Sequence, residues 1–290
     1  MTEMRYQAPA TLEAALALLA GANGKAKILA GGTDLLIQMR SGRAEPELLV
    51  DIKGIPEMTS ITEEQGTYRI GAAVGCMQII EHAGLSQAWP GVVDGVKLIG
   101  SIQVKGRATM GGNLCNASPA ADSVPGLIAA GARATIAGPK GKREVAVADV
   151  AMSPGRTSLA PDEILVSFLL PRRPPRSAGA YLRFTPRTEM DIAVVGAAVN
   201  LALDAQGVCS EARVCLGAVA ARALLVPEAA AALVGSRLDA AALDRLAAAA
   251  SAGCSPIDDK RGTREFRIKV VGVMARRAAA IALERARSAN

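Results

Sequence analysis

Two short strings in this chain could act on a phosphate-bearing ligand. The first is Leu29, Ala30, Gly31, Gly32, Thr33, Asp34 and Leu35; the second is Thr109, Met110, Gly111, Gly112 and Asn113. A diphosphate is bound by several backbone N–H groups aimed into one small space, and glycine lets the backbone come close because it has no Cβ. In the first string Gly31 and Gly32 would expose their amides, Thr33 would add a hydroxyl, and the helix expected to follow would add its positive end. In the second, Thr109, Gly111, Gly112 and Asn113 would do the same from the opposite side. An isolated Gly-Gly is more often a tight strand-to-helix turn. Two such strings in one chain, however, suit one diphosphate. Neither has the Gly-x-Gly-x-x-Gly spacing of a Rossmann fingerprint or the Gly-x-x-x-x-Gly-Lys-Ser/Thr spacing of a P-loop, so both of those readings fail.

Little else in the chain suggests chemistry. His82 is the only histidine, so a His-rich metal site or a Ser-His-Asp hydrolase would rest on one residue. It stands where a helix should end, and a capping role fits it better than catalysis. The five cysteines, Cys76, Cys115, Cys209, Cys215 and Cys254, are far apart and form no Cys-x-x-Cys pair. They read as reduced, mostly buried thiols. No four of them have the local spacing that ligates an iron–sulfur cluster, and no metal ligands are assigned.

The glycine strings must be held by the elements around them. Thr11 caps a helix running to residue 20, residues 27–30 form a short buried strand, 35–41 begin a second helix and 47–52 a second strand. The first string therefore leaves a strand and opens a helix, the placement that anion binding requires. Strands are then expected at 60–62 and 68–71, helical stretches at 76–82 and 89–99, and an apolar helix at 122–130. Further strands follow at 134–137, 142–147 and 164–170, separated by Gly-Pro and Pro-Asp turns. The run Pro171-Arg-Arg-Pro-Pro-Arg-Ser-Ala-Gly179 reads as a linker, since proline blocks both helix and ladder. Beyond it lie strands at 181–184, 193–203 and 212–219, Ala-rich helices at 227–234 and 239–250, and a long amphipathic helix over 263–286. The class is α+β, without internal repeats.

With 290 residues, half of them apolar, the chain can bury a substantial core, yet aromatics make up only 2%, so that core must be built from small aliphatic side chains. Thirty-three Lys and Arg against 27 Asp and Glu give a net charge of +6. The basic residues are dispersed and there are few aromatic platforms, which argues against nucleic acid as a ligand. An anionic dinucleotide or an acidic partner accounts for the charge equally well. No signal-peptide pattern opens the chain and no apolar run of about 18 residues could span a bilayer, so the expected location is cytoplasmic, away from membranes.

Ala30-Gly-Gly-Thr-Asp34, together with Ala108-Thr-Met-Gly-Gly-Asn-Leu-Cys-Asn-Ala-Ser-Pro-Ala-Ala-Asp122, resembles the FAD loops of the molybdenum hydroxylase flavoproteins. That family includes the medium subunits of carbon monoxide dehydrogenase and the flavin domain of xanthine dehydrogenase. The similarity extends over most of the chain, including Tyr6-Gln-Ala-Pro-Ala-Thr-Leu-Glu-Ala-Ala15. It implies a vanillyl-alcohol-oxidase (PCMH-type) FAD-binding fold of two subdomains, 1–56 and 57–172, followed by a C-terminal α+β domain of the CO dehydrogenase flavoprotein type at 178–287. FAD would lie non-covalently between the subdomains. The two strings, Leu29 to Leu35 and Thr109 to Asn113, would hold the diphosphate, and Asp122 would sit near ribose or phosphate oxygens. Leu165, in Asp162-Glu-Ile-Leu165, would bring its backbone to the adenine or flavin, and Arg183 would lie near the isoalloxazine. Asp34 and Asp122 also suit simple helix N-caps, and Arg183 suits a surface strand.

The resemblance further implies partners: a large molybdopterin subunit and a small iron–sulfur subunit that carry the molybdenum cofactor and the [2Fe–2S] clusters. Electrons would reach FAD from those clusters and leave for NAD⁺, oxygen or quinone, so no side chain of this chain need act as acid or base. One departure is Ile192, which follows Asp191 where many CO dehydrogenase-type relatives have tyrosine; an aliphatic residue can pack on a flavin ring but cannot hydrogen-bond to it. Two other readings stay open. A free-standing FAD oxidoreductase would need acid–base groups above the ring, and His and Tyr are scarce. A flavin-free scaffold would have no use for intact glycine strings.

Overall fold

The computed structural model describes residues 4–187 and 190–289. Its first unit is a three-stranded parallel sheet in the order Arg5–Gln7, Leu48–Asp51, Ala26–Leu29. The central strand is buried along its whole length, and helix Leu12–Gly21 covers the sheet through Leu12, Ala15 and Leu19. Thr11 caps that helix as expected, its hydroxyl accepting from the Ala14 amide at 3.2 Å. The edge strand Arg5–Gln7 is exposed at all three positions and so carries no alternating pattern by which the sequence could announce it.

The second unit is an antiparallel sheet in the order Ile61–Glu64, Thr67–Gly71, Ile164–Leu170, Arg133–Gly138, Gly141–Ala146. Six short helices are inserted between its second and fourth strands, from Cys76–Glu81 to Ser123–Ala129. One of them, Met110–Cys115, contains the second glycine string: what reads as a loop is the first turn of a helix. His82 stands at the end of Cys76–Glu81, as expected, and also caps the start of Ala83–Ala88, where its Nδ1 accepts from the Leu85 amide at 3.1 Å. The side chains of the parallel and antiparallel sheets form one continuous core, from Leu12 and Val50 through Met58 and Ile70 to Phe168.

The C-terminal unit is a meander of Ser177–Phe184, Val195–Leu203, Cys209–Gly217 and Leu224–Leu225. Its first strand begins at Ser177, inside the expected linker, so the connection is residues 171–176. Even these are tied down: the Arg173 guanidinium lies over the Trp89 ring and donates to the Ala88 carbonyl and to Ser177 Oγ. The 25-residue helix Arg264–Ser288 lies on one face of the meander and buries a stripe of Ala275, Ala278, Ala279, Ala282 and Ala286. Helices Pro90–Lys97 and Ser123–Ala129 of the second unit cover the other face. The long helix also reaches across: Arg285 donates to Asp94 at 2.6 Å and to the Gly179 carbonyl at 2.9 Å. Among the described residues, no helix is long and apolar enough to cross a membrane.

Candidate functional site

The two glycine strings line one cleft of about 600 Å³ and adjoin where Gly31 packs against the Arg107–Ala108 backbone; the volume is within the range of small-molecule and cofactor sites. Ala30, Gly31, Gly32, Thr33, Asp34 and Leu35 form one wall; Thr109, Gly111, Gly112 and Asn113 form another; Leu165 contributes from the antiparallel sheet. Leu165 stands at a bulge where the ladder with Arg133–Gly138 shifts register, which turns backbone out of the sheet.

Among the described residues, nothing accepts from the amides of Gly31, Gly32, Thr33 or Asp34. Four successive unspent N–H groups on a cleft wall form an anion-binding surface. Gly32 has φ +80°, a left-handed conformation that favours glycine. In the second string, Thr109 Oγ1 accepts from the Gly112 amide at 2.9 Å, which caps Met110–Cys115 and leaves its own hydroxyl proton free to donate. The amides of Met110 and Gly111, at the first two positions of that helix, have no acceptor within it.

The glycines do not all serve the ligand. A methyl group on Gly31 would overlap the Arg107 carbonyl, and one on Gly111 would overlap the Ala72 carbonyl. Both are needed because protein backbone, rather than a phosphate, comes close. Gly112 differs: its methyl would meet only Thr109 Oγ1, at 3.1 Å, and is otherwise unobstructed. Asn113 looks inward, its Oδ1 accepting from Ser123 Oγ at 2.7 Å and from the Ser123 amide at 3.3 Å, so the second wall is braced against the next helix.

Four expected site residues are not on the cleft wall. Leu29 ends a strand and Met110 is buried beneath the second string. Asp122 and Arg183 are joined to each other at 2.5 Å, with both side chains buried, and the Tyr181 hydroxyl donates to the other Asp122 oxygen at 2.8 Å. Asp122 is therefore not a side-chain cap, and Arg183 is not a solvated strand residue. Burial pushes the Asp122 carboxyl up to about 6 against the opposing pull of Arg183 and Tyr181, and the same burial, with Asp122 beside it, holds the Tyr181 hydroxyl well above its ordinary value. Asp34 begins helix Leu35–Arg40 without a side-chain capping bond. Ile192 is half exposed, while the Asp191 carboxylate beside it is buried and paired with Arg187 and Arg261.

Sequence reasoning missed several wall residues. Gln38 donates to Asn116 Oδ1 at 2.9 Å, a clasp between the helix after the first string and the end of the helix that contains the second; Asn116 lies within the Ala108–Asp122 string, but only the fold brings it to Gln38, 78 positions away. Cys115 lies on the cleft wall, where burial pushes its thiol up to about 12, and Cys76, Cys209 and Cys215 are buried as expected. Among the described residues, no three His, Cys, Asp or Glu side chains are grouped to hold a metal.

The site therefore fits an anionic ligand with a diphosphate: unspent amides from two adjoining strings and a bulged strand line the same cleft. Comparison with known proteins agrees. Residues 2–173 match the family model of the FAD binding domain in molybdopterin dehydrogenase, and residues 180–282 match the CO dehydrogenase flavoprotein C-terminal domain. The chain is 35% identical to the carbon monoxide dehydrogenase medium chain of Afipia carboxidovorans, covering 98% of both. It is 33% identical to a xanthine dehydrogenase FAD-binding subunit of Escherichia coli O157:H7, over 94% of this chain and 93% of that one. In three dimensions it superposes on a chain of carbon monoxide dehydrogenase from Hydrogenophaga pseudoflava, a form lacking the Mo-pyranopterin moiety, with TM-score 0.93, 34% identity and 98% coverage of both chains.

Proposed function

The chain belongs to the FAD-binding subunits of the molybdenum hydroxylase family, and from that premise we propose that it is the electron-transfer subunit of a heteromeric enzyme. Electrons would come from [2Fe–2S] clusters of a small partner subunit and leave for a soluble acceptor such as NAD⁺, oxygen or quinone; a large partner would hold the molybdopterin. FAD supplies the redox chemistry when bound. This chain's residues bind and orient it. The amides of Gly31, Gly32, Thr33 and Asp34 would hold the diphosphate together with the Gly111 amide and the Thr109 hydroxyl. The bulged backbone at Leu165 would meet the adenine or flavin. Asp122 and Arg183, paired with each other off the cleft wall, would act from behind the site, bracing Asn113 through the neighbouring Ser123. No side chain serves as acid or base in this reading.

The single observation that supports it most is the convergence of unspent amides from both glycine strings on one cleft. The test is to purify the chain alone and with the products of neighbouring genes, then record visible spectra and metal content. A yellow flavin spectrum is expected, with molybdenum and iron present only when partners co-purify. Substrate turnover by the isolated flavoprotein without any partner would overturn the subunit reading, and a complex free of flavin would favour a scaffold.

A further inference from the structure

Behind the first glycine string lies a charged relay that no motif marks. Asp51 ends the central strand of the parallel sheet, and its carboxylate accepts three hydrogen bonds: from the Lys53 amide at 3.0 Å, Lys53 Nζ at 2.7 Å and the Tyr6 hydroxyl at 2.6 Å. The Asp51 side chain is only 9% exposed, and a carboxylate so enclosed requires such partners. Lys53 Nζ donates onward to the Ala30 carbonyl at 3.0 Å. All three strands of the sheet thus converge on one point, the peptide that opens the glycine string.

That peptide joins Ala30 to Gly31. A trans peptide is planar, with its C=O and N–H pointing in opposite directions, and the described chain contains no cis bonds. A donor that fixes the Ala30 carbonyl on the sheet side therefore aims the Gly31 N–H away from it, onto the cleft wall where Gly31 lies with no other acceptor. A cationic donor also draws electron density from the carbonyl, which makes the N–H at the other end a stronger donor. Its charge acts on an anion across the peptide as well.

We propose that Lys53, held by Asp51 and Tyr6, is a positioning residue for the diphosphate: it orients and polarises the Gly31 amide without touching the ligand. The inference rests on the FAD reading above.

The experiment titrates the full chain with FAD, followed by flavin fluorescence, and with ADP, followed by calorimetry, at several salt concentrations. Lys53→Met should weaken both ligands by roughly tenfold, as expected for loss of a charge-assisted bond, and should flatten the salt dependence of binding. Lys53→Arg, which keeps the charge and the donors, should recover most of the loss. Lys53→Met also takes a partner from the enclosed Asp51 carboxylate and should lower the melting temperature, so the titrations are run well below the melting temperature of every variant, and Lys53→Arg reports on the charge with that pairing kept. Wild-type FAD binding with unchanged affinity in Lys53→Met would overturn the relay alone, as would an Arg variant no better than Met. A wild-type chain that binds neither ligand would overturn the flavin reading and the relay with it.

Discussion

Gly111 and Gly112 are adjacent in sequence but answer to different constraints. At Gly111 the space a methyl would need is taken by the Ala72 carbonyl, whereas at Gly112 it meets only the Thr109 hydroxyl. Gly111→Ala should therefore cost stability, roughly 1–3 kcal/mol as for other overpacked sites, and read out as a lower melting temperature. Gly112→Ala should fold normally and weaken FAD binding by about tenfold, equivalent to some 1.4 kcal/mol, because its methyl extends into the space beside the capping hydroxyl. Thermal melts and flavin titrations of the two variants separate the cases; equal effects on both measurements would refute the distinction. Paired glycines in a sequence signal close approach, but not what does the approaching.

At the scale of elements, the main departure from the sequence reading is helix Met110–Cys115. Two glycines in its first turn lower its intrinsic propensity, yet Thr109 offsets this by satisfying the Gly112 amide. Thr109→Ala should cost about 1 kcal/mol through loss of the cap and also weaken FAD binding, while Thr109→Ser should preserve both; melting curves and titrations check it. The strands were legible where burial alternates or runs continuously, as in Ile164–Leu170 and Val195–Leu203. The exposed edge Arg5–Gln7 carried no such pattern. Site residues were legible only where they lie within a contiguous string. The Asp122–Tyr181–Arg183 cluster joins positions about 60 apart, and Lys53, just after one strand, reaches Ala30 at the end of its neighbour; neither has a local signature. The prolines at 171, 174 and 175 mask the onset of the strand that begins at Ser177, so 177–179 looks like linker in the sequence.

Over the whole molecule, the Asp122 cluster couples the FAD-binding region to the C-terminal sheet. Its carboxyl ionises near 3.8 when free and near 6 when folded. Between those values the folded chain retains a proton that the unfolded chain has released, so this group's contribution is most favourable below pH 4 and declines as the pH climbs through 6. Urea unfolding of the wild type and Asp122→Asn across that window should show the wild type losing ground relative to the variant as pH rises; a constant or opposite difference would contradict it. The same seam is secured by Arg285 on Asp94 and by Arg173 stacked on Trp89. In mechanical terms the proline-rich connection is a weld and not a hinge. A partner of the proposed enzyme, docking against the outer helix or against the cleft side, would meet one continuous frame, so the direction in which the cleft presents its ligand would be set when the chain folds, before any assembly.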